Sequence, residues 1–143
     1  MQPKGSKFLK AAGAVSMLIG FIVVFIGFYI MSNGMLVNDI TPEMRDEQLR
    51  TMQYLSAGGM YVMVMGGFQL FAGFVGFMNA ANIEYAFRCI IYGAIIAAFG
   101  VGNFIILAIF SGKMSAMNAV IIAVPIILGA MYALGAYLNL REQ

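Results

Sequence analysis

Gln69 and Asn103 are the two strong hydrogen-bonding side chains that fall well inside long apolar stretches of this sequence. A carboxamide in hydrocarbon costs free energy until it finds a partner, so each has two available roles. It joins one helix to another, or it lines a polar path for a solute. Pro125 bears on the choice, because a proline inside a helix has no N–H to offer the carbonyl four residues back. It should kink its helix near Ile121 and free an acceptor for a neighbouring amide. Gln69, Asn103 and Pro125 are therefore the candidate lining of a pore or pocket, with bonding between helices as the plainer role. Rise counted from the outer helix ends places Gln69 about 10 Å deeper than Asn103. A direct bond between them is not expected.

Sulfur offers a second chemistry. The chain has 13 methionines, and thioethers are soft ligands suited to Cu(I). Met31 and Met35 are spaced M-x-x-x-M, Met114 and Met117 M-x-x-M, and Met60 and Met63 follow Met52 by about two to three turns. No histidine or cysteine stands beside them, and methionine is also a filler of irregular gaps. Packing is the expected role and Cu(I) handling a lesser alternative. Cys89 is the single cysteine, so no intrachain disulfide forms and no cysteine cluster holds a metal. It is read as a small buried hydrophobe, with palmitoylation near the interface as the other reading.

Several chemistries are disfavoured. Histidine is absent, which removes the commonest general base and metal ligand. No ionisable residue falls well inside an apolar stretch, whereas proton-coupled transport needs one at mid-membrane. Glu84 and Arg88 lie at a stretch end and are expected to pair at i,i+4, as are Asp46 and Arg50. The net charge of +2 comes without the basic stripe of a nucleic-acid binder. No catalytic activity, cofactor or metal is expected.

These side chains must be positioned by helices in a bilayer. The composition is 62% hydrophobic and 10% charged, with a mean hydropathy of +0.91, against about 25% charge in soluble domains. Four stretches free of charged side chains run from Ala11 to Gly34, Thr51 to Ile83, Cys89 to Gly112 and Met114 to Leu140. Each meets the roughly 20 residues needed to cross a bilayer. The expected fold is an all-α membrane protein. It is a single domain, an antiparallel bundle of four transmembrane helices over about 9–33, 53–78, 86–111 and 116–139. The first helix is expected to be retained, because its apolar region is about twice that of a signal peptide and lacks an A-x-A-like site. Thr41-Pro42-Glu43 reads as a helix start. The polar segment after it should form a short helix in the first outer loop, leading straight into the second span or lying on the membrane surface. Asn82 should cap the third helix.

Small residues recur every seventh position, the period of a left-handed seam. Gly13, Gly20 and Gly27 mark the first helix, and Gly59, Gly66 and Gly73 the second. Ala86, Gly93 and Gly100 mark the third, and Ala116, Ala123 and Ala130 the fourth. The phenylalanines at 68, 71, 74 and 77 wrap slowly around helix two and should face lipid or neighbouring helices. Basic residues set orientation. Lys4, Lys7, Lys10, Arg88 and Arg141 fall on one side, and Arg45, Arg50 and Lys113 on the other, which favours both termini in the cytoplasm.

In size, hydropathy and short loops the chain resembles small tetraspan proteins of bacteria, a likeness that implies a cytoplasmic-membrane location and no residue roles. The expected function is that of a structural or accessory protein. Its partners would be the lipid bilayer and either its own copies or a larger membrane complex. The alternative is a small channel or transporter.

Overall fold

Hydrocarbon offers no partner to an open backbone, so an apolar chain satisfies its own N–H and C=O groups by coiling. The computed structural model describes residues 5–35, 45–110 and 116–141. Among them four helices account for nearly every residue: α1 (Ser6–Met35), α2 (Arg45–Met78), α3 (Ala86–Phe110) and α4 (Ala116–Leu140). No strand occurs among the described residues. Each helix contains a segment long and apolar enough to cross a membrane: Ser6–Asn33, Ser56–Met78, Ile83–Ile106 and Ala119–Leu140. The expected all-α four-helix membrane bundle is the observed fold.

At one boundary the structure selects between two expected arrangements, and at a second it differs from expectation. The polar segment is not a separate surface helix: α2 runs unbroken from Arg45 for 34 residues. That is about 51 Å of helix, well beyond a bilayer core of about 30 Å. The Thr41-Pro42-Glu43 start falls outside the described residues. At the other boundary, Asn82 caps a 3-10 turn (Ile83–Tyr85) that precedes α3, its Oδ1 accepting from the Glu84 N–H at 3.1 Å. Because Glu84 lies in that tighter turn, it does not meet Arg88 across a regular α-helical turn. Arg88 instead lies over the Tyr85 ring, 5.3 Å from its centroid. Asp46 and Arg50 are both exposed on α2, and no ion pair forms among the described residues.

Helices α1 and α2 approach through their glycines. A Cβ added at Gly13 would fall 2.8 Å from the Gly73 carbonyl oxygen. One at Gly20 would fall 2.7 Å from that of Gly66, and one at Gly27 2.8 Å from that of Gly59. The same helix face thus meets its partner's backbone at three levels, seven residues or about 10.5 Å apart. Met17, Met31 and Met63 flank these glycines, each with its backbone nitrogen in the close contact. Their flexible side chains fill the space beside the seam.

In α3 and α4 a similar seam is shorter. Gly93 meets Gly129, and a Cβ at Gly100 would lie 2.8 Å from the Ile122 oxygen. Ala86 and Ala136, at the same register one heptad on, are both fully buried. The expected alanine seam on α4 is wrong: Ala116, Ala123 and Ala130 are exposed. The inward stripe of α4 is Pro125, Leu128, Gly129, Tyr132, Gly135, Ala136 and Asn139. Polar Tyr132 and Asn139 fix its rotation, since in lipid they gain most by facing protein.

The two hairpins join in two ways. Near one end α4 lies against α1, where a Cβ at Gly135 would come within 2.9 Å of Leu9 N. Between α2 and α3 the contact is aromatic: Tyr61 with Phe99, Phe68 with Tyr92 and Phe99, and Phe71 with Tyr92. Their centroids are 5.8–6.3 Å apart with edge-to-face angles.

Candidate functional site

The polar side chains of the interior form a column down the bundle axis. Ser16, on α1, donates from Oγ to the Gln69 carbonyl oxygen at 3.0 Å. Asn103, on α3, donates from Nδ2 to the Ile121 carbonyl oxygen of α4 in a long contact of 3.4 Å. Ile121 is four residues before Pro125, so this is the acceptor that the missing proline N–H leaves open. Pro125 is itself buried. The Met65 sulfur of α2 lies 3.8 Å from the same Asn103 nitrogen.

Nearer the end of the bundle that carries the α1 start, Tyr132 of α4 donates its hydroxyl to the Ala72 carbonyl oxygen of α2. The Cys89 sulfur is 3.8 Å from that hydroxyl. Gly76 makes the arrangement possible, because a Cβ there would sit where the tyrosine ring does. Tyr132, Cys89, Leu9, Ala12, Ala80 and Ala136 form one buried cluster. Asn139 closes the column, donating from Nδ2 to the Ala80 carbonyl oxygen at 2.8 Å.

Two amides are incompletely paired. Gln69 is fully buried, and neither Oε1 nor Nε2 has a hydrogen-bond partner. Asn139 is fully buried with its Oδ1 unpaired. Gln69 and Asn103 are not bonded to each other. Met65, one turn from Gln69 on the same face of α2, is what reaches Asn103.

Sequence reasoning singled out Gln69, Asn103 and Pro125 and missed Ser16, Tyr132 and Asn139. A signal for the last two was present: Pro125, Leu128, Tyr132, Ala136 and Asn139 are spaced by three, four, four and three residues, the signature of one helix face. The side chains of Met35, Met52 and Met117, and all of Met114, fall outside the described residues, and with them the M-x-x-x-M and M-x-x-M spacings. Among the described methionines, Met60 is exposed, Met65 is buried at the axis, and Met31 and Met63 lie along the α1/α2 seam.

No protein-family model matches this chain, and neither the curated proteins nor the solved structures give a significant match.

Two cavities open on the outer surface of the α1/α2 hairpin. One, of about 110 Å³, is lined by Ser6, Lys7, Lys10, Phe77, Met78, Ala80 and Ala81. The other, of about 300 Å³, is lined by Ala14, Met17, Leu18 and Phe77. Neither includes Gln69 or Asn103. The end of the bundle beside the first cavity gathers Lys7, Lys10, Arg88 and Arg141 against Glu84 among the described residues. Three of these cations lie over rings: Lys10 on Phe77 at 5.0 Å, Arg88 on Tyr85, and Arg141 on Tyr137 at 5.8 Å.

Proposed function

We propose that this small integral membrane protein is a non-catalytic structural or accessory component that works through helix contacts, with its own copies or within a larger membrane complex. One observation carries the reading. Ser16, Asn103, Tyr132 and Asn139 each donate to a backbone carbonyl in a different helix or in the turn after it. Such bonds hold helices together, and they leave those donors unavailable to a passing solute. The outside of α1 meanwhile presents Leu18, Phe21, Ile22 and Phe25 as exposed apolar side chains, a surface for lipid or for another helix. The cationic end supports an orientation with both termini in the cytoplasm of a bacterial cytoplasmic membrane.

Native mass spectrometry and crosslinking of the full chain from mild detergent test this reading. Stable homo-oligomers or a stoichiometric membrane partner are expected. A strictly monomeric protein without partners would sink the proposal.

One observation favours a second reading. The Gln69 amide is buried without a partner, as expected of a group that meets a transient guest in a channel or transporter. Liposome flux separates the two. Flux abolished by Gln69→Leu or Asn103→Leu supports a polar path, whereas absence of flux leaves the helix-contact reading standing.

A further inference from the structure

The two surface cavities adjoin at one shared residue, Phe77, one with cationic side chains in its lining and the other wholly apolar. The smaller counts two cationic residues, Lys7 and Lys10, among its lining. The larger is walled by Ala14, Met17, Leu18 and Phe77, with no polar side chain. Lys7, Lys10, Ala14, Met17 and Leu18 follow one another at intervals of three, four, three and one, so they form one face of α1. From Lys10 to Leu18 that face descends about 12 Å into the apolar part of the helix. The glycine seam sets the outer edge of the groove. A Cβ at Gly13 would fall 2.8 Å from Phe77 N, so this close approach fixes the Phe77 backbone against α1 and sets its ring beside Lys10.

We infer that this face of α1 and α2 binds one anionic phospholipid, its phosphate between Lys7 and Lys10 and one acyl chain along Ala14, Met17 and Leu18. Charge complementarity names the headgroup, since two cations stand at the depth where an apolar span begins. The α1 N-terminus at Ser6 adds the positive end of its helix dipole at the same level. The apolar cavity on the other side of Phe77 names a lipid rather than a soluble anion, because a free phosphate has no use for Leu18 or Met17. Arg88 and Arg141 share this end of the bundle but do not line either cavity. The inferred site is therefore local, not a general attraction of a basic surface.

The test uses the full chain in mild detergent micelles doped with equal amounts of phosphatidylglycerol and phosphatidylcholine, read by native mass spectrometry. The expected result is one retained phosphatidylglycerol per protomer, favoured roughly tenfold. Lys7→Gln with Lys10→Gln should reduce the preference to below about twofold, while Arg88→Gln leaves it unchanged. Ala14→Phe, which fills the groove and keeps both lysines, should abolish retention. A lipid preference indifferent to the lysine pair would overturn the inference, and so would retention unaffected by Ala14→Phe. Displacement of the lipid by soluble glycerol phosphate at equal concentration would overturn it too, because the site would then recognise the anion alone. Both lysines are exposed, so their replacement leaves packing intact, and unchanged helical circular dichroism verifies this.

Discussion

Helices α1 and α2 touch backbone to backbone, whereas α2 and α3 touch ring to ring. Apolar side chains gain little by leaving lipid for protein, so association rests on dispersion, hydrogen bonds and fit. The glycine contacts achieve fit by removing side chains. Two carbonyl-lined surfaces then meet at Gly13/Gly73, Gly20/Gly66 and Gly27/Gly59, and neither helix can slide without collision. The Tyr61, Phe68, Phe71, Tyr92 and Phe99 contacts achieve it by adding bulk, with rings that can re-tilt. Each hairpin is thus held along its length. Between hairpins the ring contact of α2 with α3 is the softer one, while the close α1/α4 approach at Gly135 and the Tyr132 and Asn139 hydrogen bonds hold the other end.

The largest effect should come from forcing α1 and α2 apart. Gly20→Ile would place a branched side chain where Leu70 N already lies 2.5 Å from a bare Cβ. The expected cost is about 3 kcal/mol or more, read as loss of the folded state in denaturant titration in micelles. Phe68→Leu should cost about 1–2 kcal/mol, because two edge-to-face pairs are lost. Crosslinks placed between α1 and α2 should persist in that variant. Their disappearance would show that the hairpins are not independent units.

A smaller effect tests the carbonyl left open by Pro125. Asn103→Leu should cost about 1 kcal/mol in the native chain. In a Pro125→Ala background, where a helical N–H can serve Ile121, it should cost about half as much, and a double-mutant cycle measures the difference. Additive costs would mean that Asn103 does not serve this carbonyl. Least of all should follow from Gly67→Ala. Gly67 has nothing within 4 Å of an added Cβ, whereas its neighbour Gly66 faces Val24 N at 2.7 Å. Adjacent glycines should therefore differ, with Gly66→Ala costing about 1–3 kcal/mol and Gly67→Ala within about 0.5 kcal/mol of zero. Equal effects would remove the geometric basis of the seam.

The four crossings were legible in the sequence because charge-free length is a direct demand of the bilayer. In α1 and α2 the glycines repeat with one period, and the structure pairs them in one antiparallel register. Helix α4 was misread because it holds small residues on more than one face, and size alone does not choose among them. Its polar atoms do choose, and Tyr132 and Asn139 were the residues to follow. The carbonyl freed by Pro125 was legible as an acceptor for a neighbouring amide, and Asn103 takes it. That Gln69 is left unpaired and that Met65 reaches Asn103 was not legible. Both depend on how the two hairpins are offset, which no pattern within one helix records. The lysine-lined cavity was partly within reach: with Gly13 against Gly73, Lys10 falls beside Phe77. The Glu84–Arg88 pair failed because a 3-10 turn changes which side chains are neighbours.

The unbroken length of α2 has a mechanical consequence. The portion from Arg45 to Leu55 continues about 16 Å past the apolar segment that begins at Ser56. It is the same rod whose lower half is meshed with α1 at three levels. A sideways load on this protruding arm does not bend a hinge at the membrane surface. It becomes a tilt of the whole α1/α2 hairpin, in which the aromatic contact with α3 yields and the close α1/α4 contact at Gly135 is the pivot.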